Sequence, residues 1–542
     1  MSVSFISPGR SLVEEAALRV EAAGVELSET IVVFPGRRPA HFLRQRLAQA
    51  KGRGFVPPRI FSMDELVDFI VEARDAREGR IRPGLESIDA VAILYDIQVT
   101  SPAPLGGTAF MTLDSFFPLG MKIWADLEEL FIECVPVAKV AGVQALVQDG
   151  VPARSRERLQ TLARFYEQFY REAEARGFST RASRFRRASE TVAPADLPGT
   201  GPVILAGFSR LTAAERALIC ALAEWPRVQM IFQEGPGIRE WLRGLPVPMP
   251  DPAGEERGGA TAPLTTFTSS SDAHGQVFAL NAALAESNGS TLIVLPRAET
   301  LFPLLRHALS RFDPESWNVS LPYPLERTPL YGFFNNLMEL VVSMEGEMVY
   351  LPAYLAFVLH PYVKNVRMGA SAEATRVLFH ALEDQLAESA TRQFGILEEI
   401  EQDDALFRRA AGLLGAEDEP GTAARLKGHL ADINRRTVGS FRSFSSVREF
   451  AERCAGLISW VHDQSTARDH PYFTPFSEAF VRSLETIARS LLADKSFNDA
   501  ASYFALLRRF LRIEGDPFAN DGDGWRARFA GGLRGQFRLE AG

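Results

Sequence analysis

Two strand–turn–helix units at the start of the chain constrain its fold more than any other feature. Residues 3–6 (VSFI) form a short apolar run that breaks at Ser7-Pro8-Gly9-Arg10-Ser11. Apolar residues then recur at Leu12, Val13, Ala16, Ala17 and Val20, the spacing of one helix face. Residues 31–35 (IVVFP) repeat the pattern and turn through Gly36-Arg37-Arg38-Pro39 into a helix with Phe42, Leu43 and Leu47. Strands joined through helices run parallel, and a parallel sheet needs helices over its faces. An α/β domain is therefore expected.

The first turn stands where a nucleotide-binding α/β domain carries its phosphate loop. That loop needs G-x-x-x-x-G-K-[ST]: glycines so that N–H groups can cradle phosphates, a lysine for the β/γ-phosphates and a hydroxyl for Mg²⁺. This turn offers Gly9, Arg10 and Ser11, without the lysine or a second glycine, and Glu14 and Glu15 follow. It can still be an anion site at a helix N-terminus or a plain tight turn. The missing lysine favours the turn.

Further along, Ser62-Met63-Asp64-Glu65 reads as a helix N-cap, and residues 66–190 keep helical spacing. Sheet character returns at residues 202–206 (PVILA) and 228–232. Between these, Thr212 and Glu215 have the spacing of a capping box. Residues 235–263 are rich in Gly, Pro and charge and read as a linker. A second α/β unit is expected from strands at 264–268 and 291–295 with helices at 275–286 and 299–310. Residues 351–514 are patterned as helices, and 515–542 form a Gly- and Arg-rich tail.

The 542 residues are too many for one core. A net charge of −9 excludes a globally basic nucleic-acid binder but not a local patch. Cys134, Cys220 and Cys454 are scattered and odd in number, as in a reducing compartment. No signal peptide is evident and no apolar run is long enough to span a bilayer. A cytoplasmic protein without membrane partners is expected.

Taken together, these pieces resemble the N-terminal part of the AddB/RecC-type subunit of bacterial ATP-dependent helicase–nucleases that process double-strand breaks. The matching stretches are 3–18, 30–47 (TIVVFPGRRPAHFLRQRL), 57–69 (PPRIFSMDELVDF), 202–225, 291–309 and 318–330, with His360-Pro361-Tyr362. The resemblance implies a RecA-like superfamily 1 helicase scaffold with large helical insertions. The first RecA-like domain would be 1–65 with 195–265, interrupted by a helical insertion at 66–194. The start of a second would be 266–350, followed by a helical domain at 351–514 and an atypical tail. It also implies DNA as ligand and an AddA-type partner that binds ATP and Mg²⁺.

Departures from the family matter equally. A working Walker B strand ends in acids that hold Mg²⁺, whereas residues 203–205 end in Ala206-Gly207-Phe208. Both ATP motifs are degenerate, so no cofactor, metal or catalytic residue is expected in this chain. The family's PD-(D/E)xK nuclease has no match here, and the chain is expected to stop short of its relatives. The implied role is a non-motor, DNA-binding scaffold in DNA end processing for homologous recombination. The alternatives are a truncated ATP-dependent nuclease or helicase subunit, or a non-functional remnant.

Candidate DNA contacts are arginines in turns and in one arginine- and aromatic-rich stretch. Arg37 and Arg38 lie in the second βα turn, where guanidinium groups can pair with phosphates; a solvated turn is the equal alternative. Arg181, Arg184, Arg186 and Arg187 close an arginine- and aromatic-rich stretch whose Phe165, Tyr166 and Phe169 fit a core stripe instead. Arg297 and Arg327 flank elements of the expected second unit. His462, Asp463, Asp469 and His470 match no zinc spacing and read as a helix-to-loop junction.

Overall fold

The computed structural model describes residues 2–102, 104–146, 153–245, 264–286, 291–296, 300–313, 316–317, 319, 323–388, 393–415, 421–470, 473–513 and 515–516. The expected contact Arg297, most of the linker and the tail from 517 lie outside these residues. The chain divides into two compact units, Met1–Leu264 and Thr265–Gly542.

The first unit is built on five parallel strands: β1 (Ser2–Ile6), β2 (Ile31–Phe34), β3 (Arg59–Ser62), β4 (Val203–Ala206) and β5 (Val228–Gln233). They lie in the order β1-β5-β4-β2-β3. Helix α1 (Leu12–Ala22) leads from β1 to β2, and α2 (Arg38–Lys51) leads from β2 to β3. Between β3 and β4 come α3 (Met63–Arg77), α4 (Ser87–Thr100), α5 (Leu113–Ile132), α6 (Val137–Leu146), α7 (Ala153–Ala175) and α8 (Arg181–Thr191). Helix α9 (Ala213–Ala223) joins β4 to β5, and α10 (Ile238–Trp241) follows β5.

Strand order dictates which face each helix covers. The chain steps one way along the sheet from β1 to β3 and the other way from β3 to β5. Right-handed crossovers therefore place the two sets of helices on opposite faces. One core joins Ala16, Ala17 and Val20 of α1 and Leu43 and Leu47 of α2 to Val32, Phe34 and Ile204. The opposite core joins Leu66, Val67 and Ile70 of α3, Phe185 of α8 and Leu218 of α9 to Ile31, Val33 and Leu205. Alternate residues of β2 face opposite cores, which is why all four are fully buried and apolar.

Local signals start the helices as the sequence predicts. Glu65 accepts the Ser62 backbone N–H at 2.8 Å while Ser62 Oγ accepts the Glu65 N–H at 3.3 Å. Thr212 and Glu215 make the same reciprocal pair at 2.8 and 3.3 Å.

The second unit corrects one expectation. Neither 264–268 nor 291–295 joins a sheet among the described residues. A strand persists only where a neighbour takes up its N–H and C=O groups, and neither stretch pairs with one in a ladder. Ile293 and Leu295 pack against the cluster around the helix Ala273–Glu286, whereas Leu292 and Val294 are 85% and 78% exposed. The rest is mainly helical, with the long helices Val447–Gln464, Phe473–Arg489 and Ala500–Ile513. Met348–Tyr350 and Phe394–Ile396 add an antiparallel ribbon. Among the described residues, no helix is long and apolar enough to cross a membrane.

A candidate nucleic-acid interface at the carboxyl edge of the sheet

Ligands of open parallel sheets bind outside the carboxyl ends of the strands, where the strand order reverses. Here that point lies between β4 and β2, because the chain leaves them in opposite directions. Gly207 follows β4 with φ +83°, and its N–H bonds the Ile231 carbonyl at 2.9 Å. A Cβ at this position would overlap the Leu12 side chain and come within 3.9 Å of Pro35 Cδ. Leu12, at the first position of α1, thus packs against the end of β4.

The turn after β1 is closed by its own contacts. The Arg10 N–H bonds the Ser7 carbonyl at 3.1 Å, which makes Ser7–Arg10 a tight turn. Gly9 has no positive φ, and a Cβ there would meet nothing within 4 Å. Glycine's conformational freedom is therefore not used, unlike in a backbone cradle for phosphate. The Gln233 side-chain amide, at the end of β5, donates to the Pro8 and Arg10 carbonyls at 3.2 and 3.0 Å. Ser11 Oγ accepts from the Glu14 N–H at 3.4 Å, and the Arg10 guanidinium pairs with Glu15 at 3.2 Å. Glu14 binds Arg46 through two 2.6 Å hydrogen bonds, which hold its carboxyl below the usual range. At the end of β4 Ala206 is fully buried, and the next acid along, Glu215, is occupied in its capping box.

Arginines survive on this edge. Arg10 follows β1, Arg37 and Arg38 follow β2, Arg210 follows β4 and Arg239 follows β5. Arg37 pairs with Glu65 at 3.0 Å, and Arg239 pairs with Glu234 and lies 4.3 Å from the Phe5 ring centroid. Arg210 has no carboxylate within ion-pair distance among the described residues. Its guanidinium instead lies 4.5 Å from the ring centroid of Trp241, which is 41% exposed.

Helix α2 adds a second ring. The sequence places Phe42 with Leu43 and Leu47 on the apolar face, but the buried stripe is Ala40, Leu43 and Leu47, and Phe42 is 56% exposed. Phe42 is one residue, about 100°, away from that stripe, so its outward direction follows from the spacing. It packs edge-on against His41, next to Arg38. The uncapped first turn of α2 starts in the same loop and attracts anions. Sequence reasoning missed His41, Phe42, Arg210, Arg239 and Trp241. Strand-end position was the available signal for Arg210 and Arg239.

The other expected arginines lie elsewhere. Arg181, Arg184 and Arg187 on α8 face the carboxylates of α3. Arg181 binds Asp64 at 2.5 Å, Arg184 binds Asp68 at 2.6 Å, and Arg187 binds the buried Asp75 and, at 3.1 Å, Glu78. Arg186 lies 4.2 Å from the Phe131 ring centroid with Glu190 at 3.9 Å. Phe165, Tyr166 and Phe169 of α7 are buried. Arg327 is exposed in the second unit, just before the helix Pro329–Val342. No group of three metal-ligating side chains occurs among the described residues. No protein-family model and no curated protein matches the chain.

Proposed function

We propose that this chain is a non-motor, DNA-binding scaffold, a helicase-like α/β fold that tracks a nucleic-acid strand without hydrolysing ATP. The observation that carries this reading is the combination at one edge. The turn after β1 is held shut by Gln233 and Leu12 packs against Gly207, while arginines and exposed rings line the same carboxyl ends. Guanidinium groups suit phosphates, and exposed rings suit unpaired bases whatever their sequence.

The resemblance to AddB/RecC-type subunits supplies the context. On it, the sheet is a RecA-like scaffold, and an AddA-type partner binds ATP and Mg²⁺ and drives translocation. The process served is DNA end processing for homologous recombination. The test is binding of fluorescent single-stranded and forked DNA across a salt series. Affinity should fall steeply with salt, because displaced counterions drive phosphate binding, and the chain alone should show no Mg²⁺-dependent ATP hydrolysis. Salt-independent binding, or hydrolysis abolished by Ser11→Ala, overturns the reading.

A second reading, a remnant with an incomplete second α/β unit, is favoured by the stretches at 264–268 and 291–295, which join no sheet among the described residues and expose Leu264, Phe267, Leu292 and Val294. A protease-resistant core ending near 265, with the remainder degraded, would support it.

A further inference from the structure

A cleft of about 260 Å³ opens among α3, α5, α7 and α8, away from the sheet's carboxyl edge. Its cationic wall is Arg82, Arg184, Arg186 and Arg187. Its apolar wall is Phe131, Phe178 and Val71, with Tyr170 stacked on Phe131 at 3.6 Å between centroids. Ser179, Thr180 and Ser183 bring hydroxyl groups to the floor. The lining carboxylates are Glu174 and Glu190, both well exposed.

The arginines are not equally engaged. Arg184 and Arg187 are committed to the carboxylates of α3. Arg82 is different: its side chain is only 13% exposed, and its nearest carboxylates, Asp75 and Glu174, are 3.8 and 3.9 Å away. Its backbone is nevertheless fixed, since Ser179 Oγ donates to the Arg82 and Pro83 carbonyls at 3.3 Å. Arg186 likewise reaches Glu190 only at 3.9 Å. A guanidinium presents a fork of N–H donors that matches phosphate oxygens, and Arg82 and Arg186, both partly buried, hold their carboxylates only at 3.8–3.9 Å, without a direct hydrogen bond to them.

We propose that this cleft binds a nucleoside monophosphate, with the phosphate between Arg82 and Arg186 and the base against Phe178 and Val71. The volume suits one nucleotide, not a duplex. The ligand is either free nucleotide or the 5′-phosphorylated terminal nucleotide of a strand. The site does not depend on the carboxyl-edge reading, and either can fail alone.

Calorimetric titration with deoxyadenosine 5′-monophosphate tests it. Binding should be about tenfold weaker for deoxyadenosine, and about tenfold weaker for Arg82→Gln and for Arg186→Gln, the scale of a lost charge-assisted hydrogen bond. Circular dichroism checks that both variants fold. Glu174→Gln, on the exposed rim, should tighten binding severalfold by removing a competing charge, a gain that no folding defect produces. Preference for 5′-phosphorylated over 5′-hydroxyl oligonucleotides would identify the strand terminus as the source; deoxyadenosine 5′-monophosphate binding without that preference would identify free nucleotide. Arg210→Ala should leave monophosphate binding unchanged. No binding to the folded protein, or inorganic phosphate binding as tightly as the nucleotide, overturns the proposal.

Discussion

Leu12 occupies the space that a Cβ on Gly207 would need, so the first residue of α1 and the first residue after β4 are fitted to each other. One opens the helix after β1 and the other follows β4.

That fit predicts opposite outcomes for two glycines. Gly207→Ala meets both the overlap with Leu12 and a left-handed backbone, and should destabilise the protein by about 1–3 kcal/mol. Gly9→Ala, in open space with an ordinary φ, should be within about 0.5 kcal/mol of the parent. Urea denaturation compares them. Equal losses would contradict the described packing.

Arg210 and Trp241 should act in strand binding through phosphate and base respectively. Arg210→Ala should weaken single-stranded DNA binding and reduce the slope of log affinity against log salt by about 0.7, the loss of one phosphate contact. Trp241→Ala and Phe42→Ala should each cost about 1–3 kcal/mol of binding with the salt slope unchanged. Anisotropy titrations at several salt concentrations separate the two signatures.

The ion pairs between α3 and α8 should differ in worth according to burial. Arg187→Ala leaves the buried Asp75 with only Arg82 at 3.8 Å, and should cost about 3 kcal/mol or more. Arg181→Ala breaks a pair in which both side chains are about half exposed, and should cost less than about 1 kcal/mol. Thermal melts of the two variants test the ranking. If Arg181 matters more than Arg187, burial is not the deciding quantity.

His360 should make the second unit acid-sensitive. Burial dominates and pushes its pKa down to about 4, although the ring bonds the Pro329 backbone. The ring also accepts the Tyr362 N–H at 3.2 Å. Between pH 4 and pH 6.5 the unfolded chain binds a proton there that the folded chain does not, so stability falls as pH falls through this window. The loss from pH 7.5 to pH 5 should be about 2 kcal/mol. Urea denaturation at both pH values checks this, and His360→Gln should reduce the difference by that amount.

Much of the first unit was legible in sequence. The βα units at β1 and β2, the strands at 203–206 and 228–232 and the two capping boxes are local patterns, set by side-chain spacing and by hydrogen bonds that reach three residues. The strand readings at 264–268 and 291–295 failed for the same reason. Residues 264–268 and 291–295 have strand composition, but a strand is a relation to a neighbour, and the described residues provide none.

Candidate contacts divided along the same line. Arg37 and Arg38 were placed correctly at a strand end, because a βα turn always reaches the carboxyl edge. For Arg181, Arg184 and Arg187, lying outside the apolar stripe showed that they face away from the core, but not that the acidic face of α3 lies opposite. Arg210 and Trp241 are thirty-one residues apart, and only the adjacency of β4 and β5 brings them to 4.5 Å.

By itself, the sequence determined the parallel α/β character of the first unit, because side-chain spacing and short-range hydrogen bonds set its strands and helices. Only the tertiary structure decided that Leu12 packs against Gly207 and that most of the α8 arginines are held by α3. Those facts depend on which distant surfaces meet, and strand order, not local spacing, sets that.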